Sequence, residues 1–185
     1  PNVSFEKFDL TEFDYFIFDK YVDIDTLMIT AGFGHISLFR DIDENTIVNY
    51  FNVNTIATIR IIKHFYERML SRTDFFCGVM VSISGFMSSP FFSVYGATKA
   101  ALNIFIQTVN VEMEKAGTSN RILNVSPGSI KGTKFDKGAV NDFLQTDALA
   151  KEIVRNLKNK NDLFIPNFEG VFKDVLERAH TDFRK

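Results

Sequence analysis

Ser93-Val-Tyr-Gly-Ala-Thr-Lys-Ala-Ala-Leu102 is the stretch on which the fold turns. It sets Tyr95 and Lys99 four residues apart at the head of an apolar-periodic run. Four residues is slightly more than one helical turn, so a helix starting here projects both side chains from one face. A phenol needs such a neighbour if it is to work as an acid. Free tyrosine titrates near pH 10, and bringing that to about 7 requires roughly 4 kcal/mol. One ammonium about 4 Å away in a partly screened site supplies about that much. A place in the first helical turn adds about 0.3–1 kcal/mol. Tyr and Lys at this spacing also arise as an ordinary surface contact, so the neighbouring segments decide.

Before Tyr95, Gly78-Val-Met-Val-Ser-Ile-Ser84 reads as a strand. After it, the helix is expected to end at Lys115-Ala-Gly117, and Arg121-Ile-Leu-Asn-Val125 gives a second strand that runs into Ser126-Pro-Gly128. Upstream, Thr26-Leu-Met-Ile-Thr30 is a continuous apolar run of the kind found in parallel strands buried on both faces. It ends in Ala31-Gly32, a small pair that lets backbone approach a ligand closely. Asp43-Glu-Asn-Thr46 carries helix-start chemistry, and apolar residues at near-helical spacing predict a helix from about Ile47 towards Leu70. Asn54 is a polar residue inside that helix. Val3 to Asp9 alternates like an edge strand, and Phe13 to Tyr21 is an aromatic packing segment. Asp147 to Leu157 reads as a further helix, Asp162 to Pro166 as a last short strand, and Phe168 onward as amphipathic. Alternating strands and helices of this kind predict an α/β domain with a parallel sheet.

In this order and at these separations the chain resembles the short-chain dehydrogenase/reductase family, from about Asp9 to about Pro166. The resemblance implies a Rossmann-type doubly wound parallel sheet in three αβα layers, one domain over residues 1–185, whose first strands lie outside this sequence. It implies an oxidoreductase that moves a hydride between NAD or NADP and an alcohol or carbonyl substrate. Tyr95 is then the proton donor or acceptor, and Lys99 lowers its pKa and holds the nicotinamide ribose. Asn54 orders the proton relay through its backbone carbonyl. The family's cofactor contacts fall on Asp9, Ala31, Gly32, Pro127, Gly128, Ile130 and Thr133. For Asp9 a capping role is an equal alternative, and for Pro127-Gly128 a plain turn is one.

Three departures accompany the resemblance. The family's two asparagines before Ala-Gly are replaced by Ile29 and Thr30. The catalytic serine falls out of register: the residue thirteen before Tyr95 is Ser82, which the hydrophobic register puts inside the expected strand, while Ser84 ends the strand only eleven before it. Aligning on the strand would put the serine at Gly85, so a three-residue segment is expected to be missing after Ser84, and Ser84 is the best surviving candidate. No Gly-rich strand–turn–helix for the cofactor pyrophosphate occurs in these residues, so roughly the first two strands and their helices are expected to precede them.

Composition narrows the rest. A chain of 185 residues can bury one substantial core. Its net charge of −2, with acids and bases interspersed, offers no footprint for nucleic acid. Twenty-one phenylalanines and no tryptophan point to bulky core packing. Cys77 is the only cysteine, which excludes an intrachain disulfide, and no His/Cys cluster suggests a metal. No apolar run is long enough to span a bilayer, so the cytoplasm is the expected location and no membrane is an expected partner. His35 reads as a loop residue, with a substrate contact as the alternative; His64 and His180 read as surface residues. Apolar residues on more than one face of the helices from Ile47 and Val94, among them Ile104, Phe105, Val109 and Met113, predict a homodimer or homotetramer. Two rivals remain: a sugar-nucleotide epimerase or dehydratase using the same Tyr/Lys pair, and a non-catalytic binding or dimerisation module.

Overall fold

Asp43 begins the first helix. Its carboxylate accepts from the Thr46 N–H at 2.9 Å and from the Thr46 hydroxyl at 2.6 Å, satisfying donors that a helix start leaves open. The computed structural model describes residues 3–12, 14–130 and 142–184. In it, α1 spans Glu44–Phe51 and α2 spans Ala57–Leu70, with a π-turn at Asn52–Ile56 between them. The sequence pattern predicts one unbroken helix here. Periodicity does not register a single widened turn, so the break is a finding of the structure.

Four strands form one sheet: β1 (Thr26–Ile29), β2 (Phe76–Met80), β3 (Arg121–Val125) and β4 (Leu163–Phe164). They lie in chain order and every pairing is parallel. The connecting helices α3 (Ser93–Lys115) and α4 (Phe143–Lys158) follow β2 and β3, and α5 (Lys173–Thr181) closes the described chain. Gly117, at φ +82°, ends the Tyr95 helix in the left-handed turn that glycine tolerates best.

Alternation along β2 divides the core. Cys77 and Val79 face α2 and α3, joining Ile61, Phe65, Leu102 and Ile106 in the larger cluster. Phe76 and Met80 face the other way, where Ile153 and Leu157 of α4 pack on Leu123 and Val125. Helices therefore cover both faces, in the three layers expected. Because the strand order never reverses, placing α4 on the opposite face gives its crossover the hand opposite to the two before it, an exception to the general right-handed rule. Gly78 is small for this reason: a Cβ there would lie 2.5 Å from Met28 Sδ and 3.3 Å from Leu157.

Two local expectations change, and a third is borne out. Val3 to Asp9 forms no strand, pairing with no other strand among the described residues, and is largely exposed. The strand expected to run to Ser84 ends at Met80, whose register partner Val125 is itself the last residue of β3. Of the aromatic segment, Phe16–Tyr21 forms a 3₁₀ helix, and Tyr15 and Phe18 pack into the core edge-on to Phe8 and Phe65. Phe13, Thr133 and the whole of 131–141 lie outside the described residues. No helix among the described residues is long and apolar enough to cross a membrane.

Beneath the amino ends of the strands, Asn120 ties three segments together. Its amide donates to the carbonyls of Met69 (3.1 Å), Ser71 (3.3 Å) and Thr73 (2.9 Å), and its Oδ1 accepts from the Phe75 N–H at 3.0 Å. At 1% exposure, water cannot replace these bonds. Asn120→Ala should therefore destabilise the fold by about 2–4 kcal/mol, read as a lowered urea midpoint with an unchanged m-value. A loss below about 1 kcal/mol would show that the loop around Thr73 is held by something else.

Candidate active site

Lys99 sits at the carboxyl end of the strands. It lies in the second turn of α3 and is 3% exposed. Among the described residues its Nζ makes one hydrogen bond, to the Met80 carbonyl at 3.0 Å. Burial depresses its pKa from 10.5 to about 8. Tyr95, one turn earlier and itself buried, brings its ring centroid to 5.7 Å from that ammonium.

The expected effect of Lys99 on Tyr95 is not what this structure shows. Burial is the largest influence on the phenol and raises its pKa; a hydrogen bond with the Ser82 hydroxyl opposes it. Lys99 spends its bond on Met80, so desolvation prevails. The phenol is held as a neutral acid at pH 7.

The serine in contact with Tyr95 is thus Ser82, thirteen residues before it, and not Ser84. The physical reason lies in the strand end. Past Met80 the chain keeps two more backbone bonds, Val81 N–H to Val125 O at 2.7 Å and Ile83 N–H to Pro127 O at 3.0 Å. These fix Ser82 between them, outside the strand. Ser82 Oγ then accepts from the Ser84 N–H at 3.1 Å and caps a 3₁₀ turn over Ile83–Gly85. The spacing of thirteen is satisfied by Ser82 as the chain stands, so the contact with Tyr95 requires no further segment after Ser84. Gly85 has no room for a side chain, since a Cβ would lie 2.8 Å from the Lys99 carbonyl.

Ala31-Gly32 reaches the same place from β1. A Cβ on Gly32 would lie 3.3 Å from Lys99 Nζ and 3.2 Å from Asn54 Oδ1, the close backbone approach that its small size permits. Asn54 is fully buried. Its amide clasps Phe33 by both backbone groups, accepting from the N–H at 2.9 Å and donating to the carbonyl at 2.8 Å, and also donates to Thr98 Oγ1 at 3.3 Å. Its own carbonyl accepts from Thr58 Oγ1 at 3.3 Å. The widened turn at Asn52–Ile56 surrounds this residue. Side-chain clasping of Phe33 is a role that sequence alone did not suggest.

Pro127 is buried, and the Ile83 N–H bond to its carbonyl anchors the Pro-Gly loop beside Ser82. A Cβ on Gly128 would lie 2.7 Å from the Phe172 ring, so this loop is backed by the segment before α5. Ile130 is the last described residue before 131–141. Asp9 stands apart: its Oδ1 accepts from the Thr11 N–H (2.9 Å) and hydroxyl (2.7 Å), and this local turn holds its carboxyl below the usual range.

An open parallel sheet with a buried Tyr, a buried Lys and a Gly-bearing turn at its carboxyl edge defines a Rossmann-type site. A family model described as short chain dehydrogenase matches residues 7–159. The chain belongs to that family. It is 31% identical over 107 residues to Short-chain dehydrogenase fogD of Aspergillus ruber, covering 58% of this chain and 36% of that protein. With an uncharacterized oxidoreductase of Schizosaccharomyces pombe it shares 27% over 161 residues, covering 86% and 66%. The chain thus spans about a third to two thirds of these relatives' lengths. Its fold matches a short-chain dehydrogenase from Sphingobium yanoikuyae in complex with NADPH, with TM-score 0.74 and 22% identity over 94% of this chain and 71% of that one. It also matches an alcohol dehydrogenase from Thermococcus sibiricus complexed with 5-hydroxy-NADP, with TM-score 0.67 and 20% identity over 84% and 68%.

The buried ammonium gives a pH test. Between about pH 8 and 10.5 the unfolded chain binds the Lys99 proton and the folded protein does not, so stability rises with pH through that window. From pH 7 to 9.5 the wild type should gain about 2 kcal/mol relative to Lys99→Met, measured by urea denaturation of both at each pH. Parallel pH dependence of the two proteins would mean that Lys99 titrates at its ordinary value.

Proposed function

We propose that this chain is the catalytic part of an NAD(P)-dependent oxidoreductase that interconverts a carbonyl and an alcohol. The observation that carries this is the convergence of Tyr95, Ser82 and Lys99 from two segments at one sheet edge. A bound nicotinamide cofactor supplies the hydride. The residues present suit its nicotinamide end: Gly32 leaves space against Lys99 Nζ, and Lys99 retains donor capacity for a ribose hydroxyl. Two of the structural neighbours hold NADPH or 5-hydroxy-NADP. Pro127, Gly128, Ile130 and Thr133 are proposed to border the same end, and Ala31 to flank Gly32. Asp9 is proposed for the adenine end, through the amide that follows it.

In reduction Ser82 donates a hydrogen bond to the substrate carbonyl and holds it against Tyr95. Tyr95 then gives its phenolic proton to that oxygen. The neutral phenol required for this is the form that burial favours. As the phenolate develops, the Lys99 ammonium stabilises it, an effect confined to the charged product of proton transfer. Asn54 acts at one remove, as a positioning residue: it fixes the Phe33 backbone after Gly32 and so the space beside Lys99. Ser84 supplies its N–H to Ser82 and is proposed as a support, in place of the catalytic role expected for it. No feature of the site favours a binding module or an epimerase.

Homodimerisation belongs to the same proposal. Val48, Ile56, Ile104 and Val111 are 45–61% exposed on α1, the π-turn and α3. Of the residues first expected on that face, Val109 and Met113 instead lie in the core, and Phe105 packs against it. A cytoplasmic location is proposed with it.

Two tests follow. With full-length protein, NADPH or NADH and a panel of ketones, Tyr95→Phe and Ser82→Ala should each lower kcat at least about 100-fold, while Ser84→Ala should cost less than about 10-fold. A Ser84→Ala loss equal to that of Ser82→Ala would return the catalytic role to Ser84. Ile104→Asp should shift the sedimenting species towards monomer; a wild type that sediments only as monomer at micromolar concentration would refute the dimer.

A further inference from the structure

The loop after β1 carries an arrangement that the chemistry above does not use. It starts at Gly32, against Lys99 Nζ. It ends at Ser37, whose N–H donates to the Phe91 carbonyl at 3.1 Å. The next residue, Phe92, holds its ring 5.9 Å from that of Tyr95. Residues 33–36 therefore run alongside the Tyr95–Lys99 pair, fixed at both ends. In the middle stands His35, exposed to solvent.

His35 is held by Tyr50. Its backbone N–H donates to the Tyr50 hydroxyl at 2.8 Å, and its Nδ1 lies 3.1 Å from the same oxygen. Tyr50 is 2% exposed and stacks on Phe33 at 4.8 Å. Its hydroxyl proton needs an acceptor, because a buried unpaired donor is costly. Among the described residues the only acceptor in reach is His35 Nδ1, since the backbone N–H is itself a donor. Nδ1 is thus the unprotonated nitrogen, and Nε2 carries the hydrogen.

We infer that His35 is a specificity-determining residue: its Nε2–H, fixed in that tautomer by Tyr50, donates to a second oxygen of the substrate, remote from the reacting carbonyl. The site then takes carbonyl compounds that bear a further oxygen acceptor, such as a carboxylate or a second carbonyl, in preference to plain ketones of the same shape. The Phe33–Tyr50 stack gives the intervening apolar body a flat neighbour. Tyr50 is a positioning residue for this contact. The inference rests on the proposed carbonyl chemistry for its kinetic consequence, while the tautomer and the contact stand apart from turnover.

The test therefore has two arms on the full-length protein. In the first, imidazole ¹⁵N spectra are recorded at mildly alkaline pH, with the His35 signal identified as the one lost in His35→Gln. The Nε2–H tautomer should dominate in wild type, and Tyr50→Phe should shift the population towards Nδ1–H. The 3- and 4-acetylbenzoates should move the His35 signals more than acetophenone does. In the second, the ratio of kcat/KM for the better acetylbenzoate over acetophenone should fall at least 10-fold in His35→Ala, through KM more than kcat, and recover in part in His35→Gln. A dominant Nδ1–H tautomer in wild type, no shift with either acetylbenzoate, or an unchanged ratio in His35→Ala overturns the inference. If no ketone is turned over at all, the proposed reaction fails for these substrates, and the spectral arm alone still decides for or against His35.

Discussion

A lysine ammonium buried at 3% exposure, bonded among the described residues to one carbonyl, is the constraint that the upper edge of this sheet answers to. A cation in that position is unfavourable, and depression of its pKa to about 8 is the measure of how unfavourable. The fold tolerates it because four segments close on the same point. β2 contributes the Met80 carbonyl, the turn after β1 contributes Gly32, the π-turn contributes Asn54, and α3 carries the lysine itself. A desolvated cation of this kind suits the role proposed for Lys99, the stabilisation of a developing phenolate. A core designed for stability alone would put a methionine there.

Close approach requires small residues, and their positions follow from this geometry. Gly85 sits where a Cβ would strike the Lys99 carbonyl, and Gly96 where one would come 3.2 Å from the Ser84 carbonyl. Together they let the turn after β2 lie directly on the first two turns of α3. That contact carries Ser82 to Tyr95. The Val81 and Ile83 bonds to β3 and the Pro127 carbonyl set its height along the strand direction. The serine is thus located by backbone pairing rather than by its own side chain.

Much of this was legible in the sequence. Tyr95 and Lys99 were found because a helical repeat converts spacing directly into a shared face. Gly32 was found because small residues at the end of an apolar strand mark close approach. That Ser82 is the serine in contact with Tyr95 was not foreseen, for an equally physical reason: hydrophobic alternation runs on through Val81 and Ile83 and predicts a strand reaching Ser84. The pairing with β1 stops opposite Val79, and past Met80 only the Val81 and Ile83 N–H bonds to Val125 and Pro127 remain. Pairing is a property of other segments and leaves no trace in the strand itself. The π-turn at Asn54 escaped for a similar reason. Its residues keep helical composition, while the amide clasp on Phe33 joins positions twenty-one apart.

The clasped asparagines explain how an edge that buries a lysine keeps its shape. Asn54, Asn120, Asn110 and Asn124 are all nearly inaccessible to water and fully engaged. Asn110 pairs with both backbone groups of Ile122, and Asn124 donates to Asn103 Oδ1 while accepting from the Ser126 hydroxyl. An amide side chain matches a peptide group donor for donor, so each of these fixes a loop or strand end as a further sheet partner would. Apolar packing is non-directional and would let the loops slide. Buried amides satisfied on both sides admit one arrangement, because any shift leaves a donor or acceptor unpaired at a cost of about 1–3 kcal/mol. The loops that carry Gly32, Ser82 and Pro127 are therefore held by the scaffold itself, and the roles proposed for Lys99 and Tyr95 call on fixed positions.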